Sequence, residues 1–109
     1  RVETADGPLY TEQVEPVFNV HPDVRRTALV GVGAPGAQAP VLCVETLPRI
    51  ARRDHARIAR ELRAIGGRLP HTARIERIAF HPGFPVDIRH NAKIGREKLA
   101  AWAAARSAR

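Results

Sequence analysis

Of the 18 lysine and arginine residues in this chain, only Lys93 and Lys98 are lysines. Lys93 lies in FPVDIRHNAKIGREKLAAWA, which opens as an irregular, proline-containing loop and closes as a helix. Lysine presents a compact, mobile point charge with three donors, suited to bridging several oxygens of a phosphate and a carboxylate. Arginine's planar fork follows a shifting group less well. Taken alone, a lysine before a helix is more often a solvated charge. In the same loop Asp87 and His90 are three residues apart, a spacing that more often gives a turn cap or a solvated pair than a catalytic one.

Other constellations offer less. The five histidines show no metal-ligand spacing: His21 stands at a helix end, His55 on a helix, and His71, His81 and His90 in loops. Ser107, in the C-terminal tail, is the lone serine, so no catalytic triad assembles. GVGAPG, with Gly31, Gly33 and Gly36, matches a dinucleotide fingerprint and follows a strand pattern. That fingerprint needs a helix next, and here APVLCVET reads as another strand. The glycines therefore read as a loop between strands. The single Cys43 excludes an internal disulfide and fits a buried, apolar position in a reducing compartment.

The composition is that of one globular domain, with 44% hydrophobic and 27% charged residues in 109. A chain of this size buries something over ~60% of its unfolded surface. No apolar run approaches the ~20 residues of a membrane span, and no signal-peptide pattern opens the chain, so a cytoplasmic protein is expected. The net charge of +7 invites a nucleic-acid reading, but the arginines are dispersed and aromatic residues make up only 5%. A small basic nucleic-acid-binding domain is kept as the alternative from another class, to be dismissed if no binding occurs at low salt.

The elements that must position Lys93 follow from periodicity. ADGP reads as a tight turn between two short strands. In YTEQVEPVFNVHPDV, Thr11 is the expected N-cap, Val14, Val17 and Phe18 share a face, and Pro16 falls within about the first turn. RRTALVGV and APVLCVET are strands, the second apolar on both faces and therefore central. IARRDHARIARELRAIGG is an amphipathic helix with Ala51, His55, Ile58, Leu62 and Ile65 on its apolar stripe, ended by Gly66 and Gly67. ARIERIAF is a third strand. The last helix starts near Gly95, with Leu99, Trp102 and Ala103 on one face. The expected class is α+β: a short hairpin and a small sheet of about three strands covered by helices.

Two separated motifs then resemble a known family. GPLYTEQVEPVFNVHPDVRRTALVGV is similar to the opening of the small C-terminal domain of AMP-forming acyl ligases, the superfamily of acyl-CoA synthetases, adenylation domains and luciferases. Glu15 falls on the last acid of its helix motif, and His21, Pro22 and Val24 on its HP-x-V. That family ends with P-x-T-x-[ST]-G-K and [IV]-x-R-x-x-L, onto which Pro85, Lys93, Ile94, Arg96 and Leu99 fall. The chain departs from this pattern at Ala92, which replaces a glycine, in a Pro-to-Lys spacing two residues longer, and in GVG for GVPD. This form most resembles the β-lactone synthetases of bacterial long-chain olefin biosynthesis.

The resemblance implies that residues 1–109 form the mobile C-terminal lid of an acyl-adenylating enzyme, inactive alone, whose large N-terminal ATP- and acyl-binding domain lies outside this chain. It implies Lys93 as the catalytic residue. Arg89, His90 and Asn91 flank it and are the candidates to lie near the nucleotide phosphate, with local loop packing as the commoner role for such residues. No metal ligand is expected here, because ATP and Mg²⁺ would be held mainly by the large domain. The implied partners are that domain, a β-hydroxy fatty acid and other olefin-pathway enzymes, with no nucleic acid and no transmembrane segment. A fatty acyl-CoA synthetase lid is the alternative within the family.

Overall fold

A computed structural model describes residues 1–90 and 93–107, with side chains for all of these except His90 and Ser107. The first elements are β1 (Val2–Thr4) and β2 (Gly7–Leu9), an antiparallel hairpin turned by Ala5 and Asp6. Gly7 carries the positive φ of 109° that the turn exit demands. Helix α1 (Thr11–Phe18) follows. Its N-cap is Tyr10, whose carbonyl accepts from the N–H groups of Gln13 and Val14. Thr11 is thus the first helical residue rather than the cap. Pro16 lies in the second turn, where it forgoes the backbone bond to the carbonyl of Glu12.

The strands β3 (Val24–Val32) and β4 (Ala39–Thr46) pair antiparallel, with a bulge between Val24 and Arg26. The glycine-rich segment joins them as a loop, as expected, with positive φ at Gly33 and Gly36. Helix α2 (His55–Gly66) starts later than its sequence pattern implies. Ala51 is extended, and a 3₁₀ turn over Arg52–Asp54 leads into the helix, so Ala51 contributes to no helical stripe. A four-residue helix, α3 (Pro70–Ala73), then takes the start of the segment expected to be a strand. This shortens β5 to Arg77–Phe80. Pro70 sits in the first turn of α3, where its missing N–H costs nothing.

The sheet order is β3-β4-β5, with β5 parallel to the central β4. Alternate β4 side chains enter two different cores. Leu42 and Val44 pack with Val14 and Phe18 of α1 and with Ile58 and Leu62 of α2. Val41 and Cys43 pack on the opposite face with Leu99 and Ala103 of α4 (Arg96–Ser107). Three layers result, helix on sheet on helix, in an α+β fold. Gly66 ends α2 for a reason of space rather than of backbone hand: a Cβ there would stand 2.8 Å from the ring of Phe18. Among the described residues no helix is long and apolar enough to cross a membrane.

Candidate functional site

Between β5 and α4 the chain leaves the sheet and returns to it, and two carboxylates hold the two legs. On the way out, the Phe84 N–H donates to Glu45 Oε1 at 2.7 Å, and the Phe84 ring is buried in the α4-side core. Glu45 is itself buried on β4. Its charge is met by Arg26, whose Nε donates to Oε1 at 2.9 Å, and by Arg25 at 3.4 Å. On the way back, Gly95 N–H donates to the Pro85 carbonyl at 2.7 Å, closing the base. Arg96, the first residue of α4, then forms a two-point ion pair with Glu15 of α1, Nη2 to Oε1 at 2.9 Å and Nη1 to Oε2. Glu15 Oε2 also accepts the Leu29 N–H at 2.8 Å. That N–H lies on the unpaired edge of β3, so the ion pair covers the edge and ties the two helical layers together around it. The bond to Glu15 raises the pKa of Arg96 above its already high ordinary value.

Beyond this base stands a hairpin of two-residue strands, β6 (Val86–Asp87) and β7 (Lys93–Ile94). The segment expected to be irregular loop is therefore partly strand, with Lys93 directly across the ladder from Asp87. Lys93 is exposed, and among the described residues no side-chain hydrogen bond or ion pair fixes its ammonium. Asp87 caps the turn by accepting the Arg89 N–H at 2.9 Å, as the capping reading of this aspartate anticipates. Ile88, next along, is 84% exposed.

Lys93 and Arg89 line one open depression of 820 Å³, together with Arg96, Lys98, Asp87 and Glu97. Four cations against two carboxylates, with Arg96 already committed to Glu15, leave a rim that favours an anion. The structure thus brings Lys93 and Arg89 together. His90 is described by its backbone alone, and Asn91 lies outside the described residues. Among the described residues no group of three or more His, Cys, Asp or Glu is placed to hold a metal ion.

The HP-x-V motif has a structural task. His21 is buried, accepts the Asp23 N–H on Nδ1 at 3.1 Å and, with the proton on Nε2, donates to Glu61 of α2 at 2.8 Å. The bond from His21 lowers the pKa of Glu61, and the hydrogen bond from Arg57 lowers that of Asp23. What the residue pattern did not reveal is the partnership of Glu15 with Arg96. Both stand on fixed positions of the two motifs, and that shared status was the available signal.

The chain is 71% identical over 104 residues to the olefin β-lactone synthetase of Xanthomonas campestris pv. campestris, a match that takes in 95% of this chain and 19% of that protein. It is 62% identical over 105 residues to the olefin β-lactone synthetase of Stenotrophomonas maltophilia, covering 96% of this chain and 19% of the relative. The chain therefore spans about a fifth of the length of these relatives. A crystal structure of the acyl-CoA synthetase of Brucella canis superposes with a TM-score of 0.74 at 23% identity, over 99% of this chain and 19% of that one. No protein-family model matches the chain. Over the residues aligned, the chain is similar to these olefin β-lactone synthetases, and its fold is shared with part of the Brucella canis acyl-CoA synthetase.

Proposed function

We propose that this chain is the mobile C-terminal lid of an ATP-dependent, AMP-forming ligase. The enzyme adenylates a long-chain β-hydroxy acid and closes it to a β-lactone. The observation that carries the reading is the placement of Lys93: an exposed ammonium, unpaired among the described residues, on a short hairpin at the rim of a cation-rich depression. The segment bearing it is 71% identical to an olefin β-lactone synthetase. Ile88 and Val86, exposed beside it, are apolar surface for the large domain to cover when the lid closes.

In the first step a carboxylate oxygen of the acid attacks the α-phosphorus of ATP, and the bond to the departing pyrophosphate breaks. Both reacting groups are anionic, so a cation between them lowers the barrier. A charge pair at about 4 Å is worth up to ~4 kcal/mol at an effective dielectric of 20, or roughly three powers of ten in rate if expressed in the transition state. Lys93 Nζ fills this role, bridging the carboxylate and the α-phosphate, while Arg89 adds positive potential. In the second step the β-hydroxyl oxygen attacks the acyl carbonyl and loses its proton. AMP leaves, and a four-membered lactone closes without coenzyme A. ATP, its Mg²⁺ and the acyl chains are held in this reading by the large domain, so the lid alone is inactive.

In the full-length enzyme, Lys93→Ala is expected to slow acyl-adenylate formation by about two to three orders of magnitude. ATP–pyrophosphate exchange measures it, and a loss below threefold with folding intact removes the assignment. Mass analysis of the product from a β-hydroxy acid, with and without coenzyme A, separates lactone from thioester.

A further inference from the structure

We infer that Glu15 and Arg96 are a positioning pair for Lys93, an inference that rests on the adenylation reading above. Lys93 is three residues before Arg96, and only Ile94 and Gly95 separate it from the start of α4. The hairpin has little core of its own, since β6 and β7 are two residues each, Val86 and Lys93 are exposed, and Ile94, at the foot of the outgoing leg, is partly buried against the α4-side core. Its direction is therefore set by its legs together with the contact of Ile94 at the base. The incoming leg is fixed by burial of Phe84 and its bond to Glu45. The outgoing leg is fixed by Arg96, through two parallel N–H···O bonds to a carboxylate on another layer of the fold.

A fork with two contacts fixes orientation as well as distance, whereas a single contact would allow the leg to swing. Glu15 is itself held, because its Oε2 accepts the Leu29 N–H of β3, and Arg96 Nη1 also approaches the Leu29 carbonyl at 3.4 Å. The aim of the lysine is thus referred to the sheet through one carboxylate. Stability alone does not call for this arrangement. Leu99 and Ala103 already fasten α4 in the core, and they lie one and two turns further along the helix.

The test is a double-mutant cycle on adenylation in the full-length enzyme. Misplacing a catalytic group by about 1 Å costs up to ~100-fold, so Arg96→Gln is expected to slow ATP–pyrophosphate exchange roughly 10- to 100-fold. Arg96→Lys, which keeps the charge but loses the fork, should restore only part of this. Combined with Lys93→Ala, either substitution should add less than about twofold, because a lysine that is absent cannot be misdirected. Lactone formation from a supplied acyl adenylate should fall less than adenylation does. A purely structural role predicts equal losses in both half-reactions and the full additional loss on the Lys93→Ala background, and either result overturns the inference. So does an Arg96→Gln enzyme within twofold of wild type. Failure of Lys93→Ala itself to slow exchange would instead overturn the reading on which the inference rests.

Discussion

Leu42 and Lys93 mark two regions built on opposite rules. Leu42 sits on the central strand, fully buried, with helices on both faces of its sheet. Lys93 sits on a two-residue strand, exposed, held through the legs of its hairpin. Burial stabilises the first region through apolar contact, whereas the legs of the second are held by the carboxylates Glu45 and Glu15, neither of which touches the lysine. The difference separates burial from exposure: most of the chain is held by its core, while one short hairpin stands at the surface, where the proposed function gives it a substrate to meet.

The largest effect expected on the core side is from Leu62→Ala. Leu62 is fully buried between α2 and the sheet, in contact with the cluster that includes Phe18 and Leu42. Removing its branch loses transfer free energy and leaves a cavity, for a cost of about 2–5 kcal/mol. A urea titration of this chain measures it as a lowered midpoint at unchanged slope. Lys93→Ala in the same assay should move the midpoint by no more than ~0.5 kcal/mol, as for an exposed side chain. A comparable loss from both would mean that the hairpin belongs to the core after all, and the contrast would dissolve.

Gly66→Ala makes a subtler probe. In a helix, alanine is ordinarily better than glycine by up to ~1 kcal/mol. Here the new Cβ would stand 2.8 Å from Phe18 and 3.2 Å from the Thr72 carbonyl, so α1 or α3 must yield. Overpacking of this kind costs ~1–3 kcal/mol, so the net expectation is a loss of about 1–2 kcal/mol. A stabilised Gly66→Ala chain would show that the contact between α1 and α2 is loose.

The same division decided what could be read from the sequence. Strands β3 and β4 and helix α2 were legible because burial imposes a period, and Ile58 and Leu62 fall on the stripe that the period defines. Leu99, Trp102 and Ala103 of α4 were legible for the same reason, with Leu99 and Ala103 buried and Trp102 packed against their cluster. Boundaries were less so: Thr11 offers a capping hydroxyl, yet the helix begins on the Tyr10 carbonyl. Strands β6 and β7 are too short for any period. The Glu15–Arg96 pair joins residues 81 apart, and no local pattern carries such a contact. Lys93 was singled out through motif resemblance and Arg89 as a residue flanking it, and both line one depression. The anchors at Glu45 and Glu15 emerged only with the fold.

Acid should discriminate between the regions by a smaller margin. His55, stacked on Phe80 with ring centres 4.0 Å apart, has its pKa lowered first by burial and then by Arg52, with Asp54 acting in the opposite sense. His81, edge-on to Trp102, is lowered mainly by burial and further by Arg106, against the pull of Glu45. A histidine depressed in the folded state binds its proton more readily when unfolded. Stability is then fully present above the unfolded value of about 6.5 and is lost as pH falls through it toward the lower folded value. The melting temperature of this chain should accordingly be lower at pH 5.5 than at pH 7.5. His55→Phe, which retains a stacked ring and cannot titrate, should narrow the gap. The carboxylates Asp23 and Glu61 are depressed instead, so their contribution fades only at lower pH and does not enter this window. An unchanged gap in His55→Phe would place the acid sensitivity elsewhere. If Lys93→Ala narrowed it, the hairpin would be coupled to the core more tightly than its anchors imply.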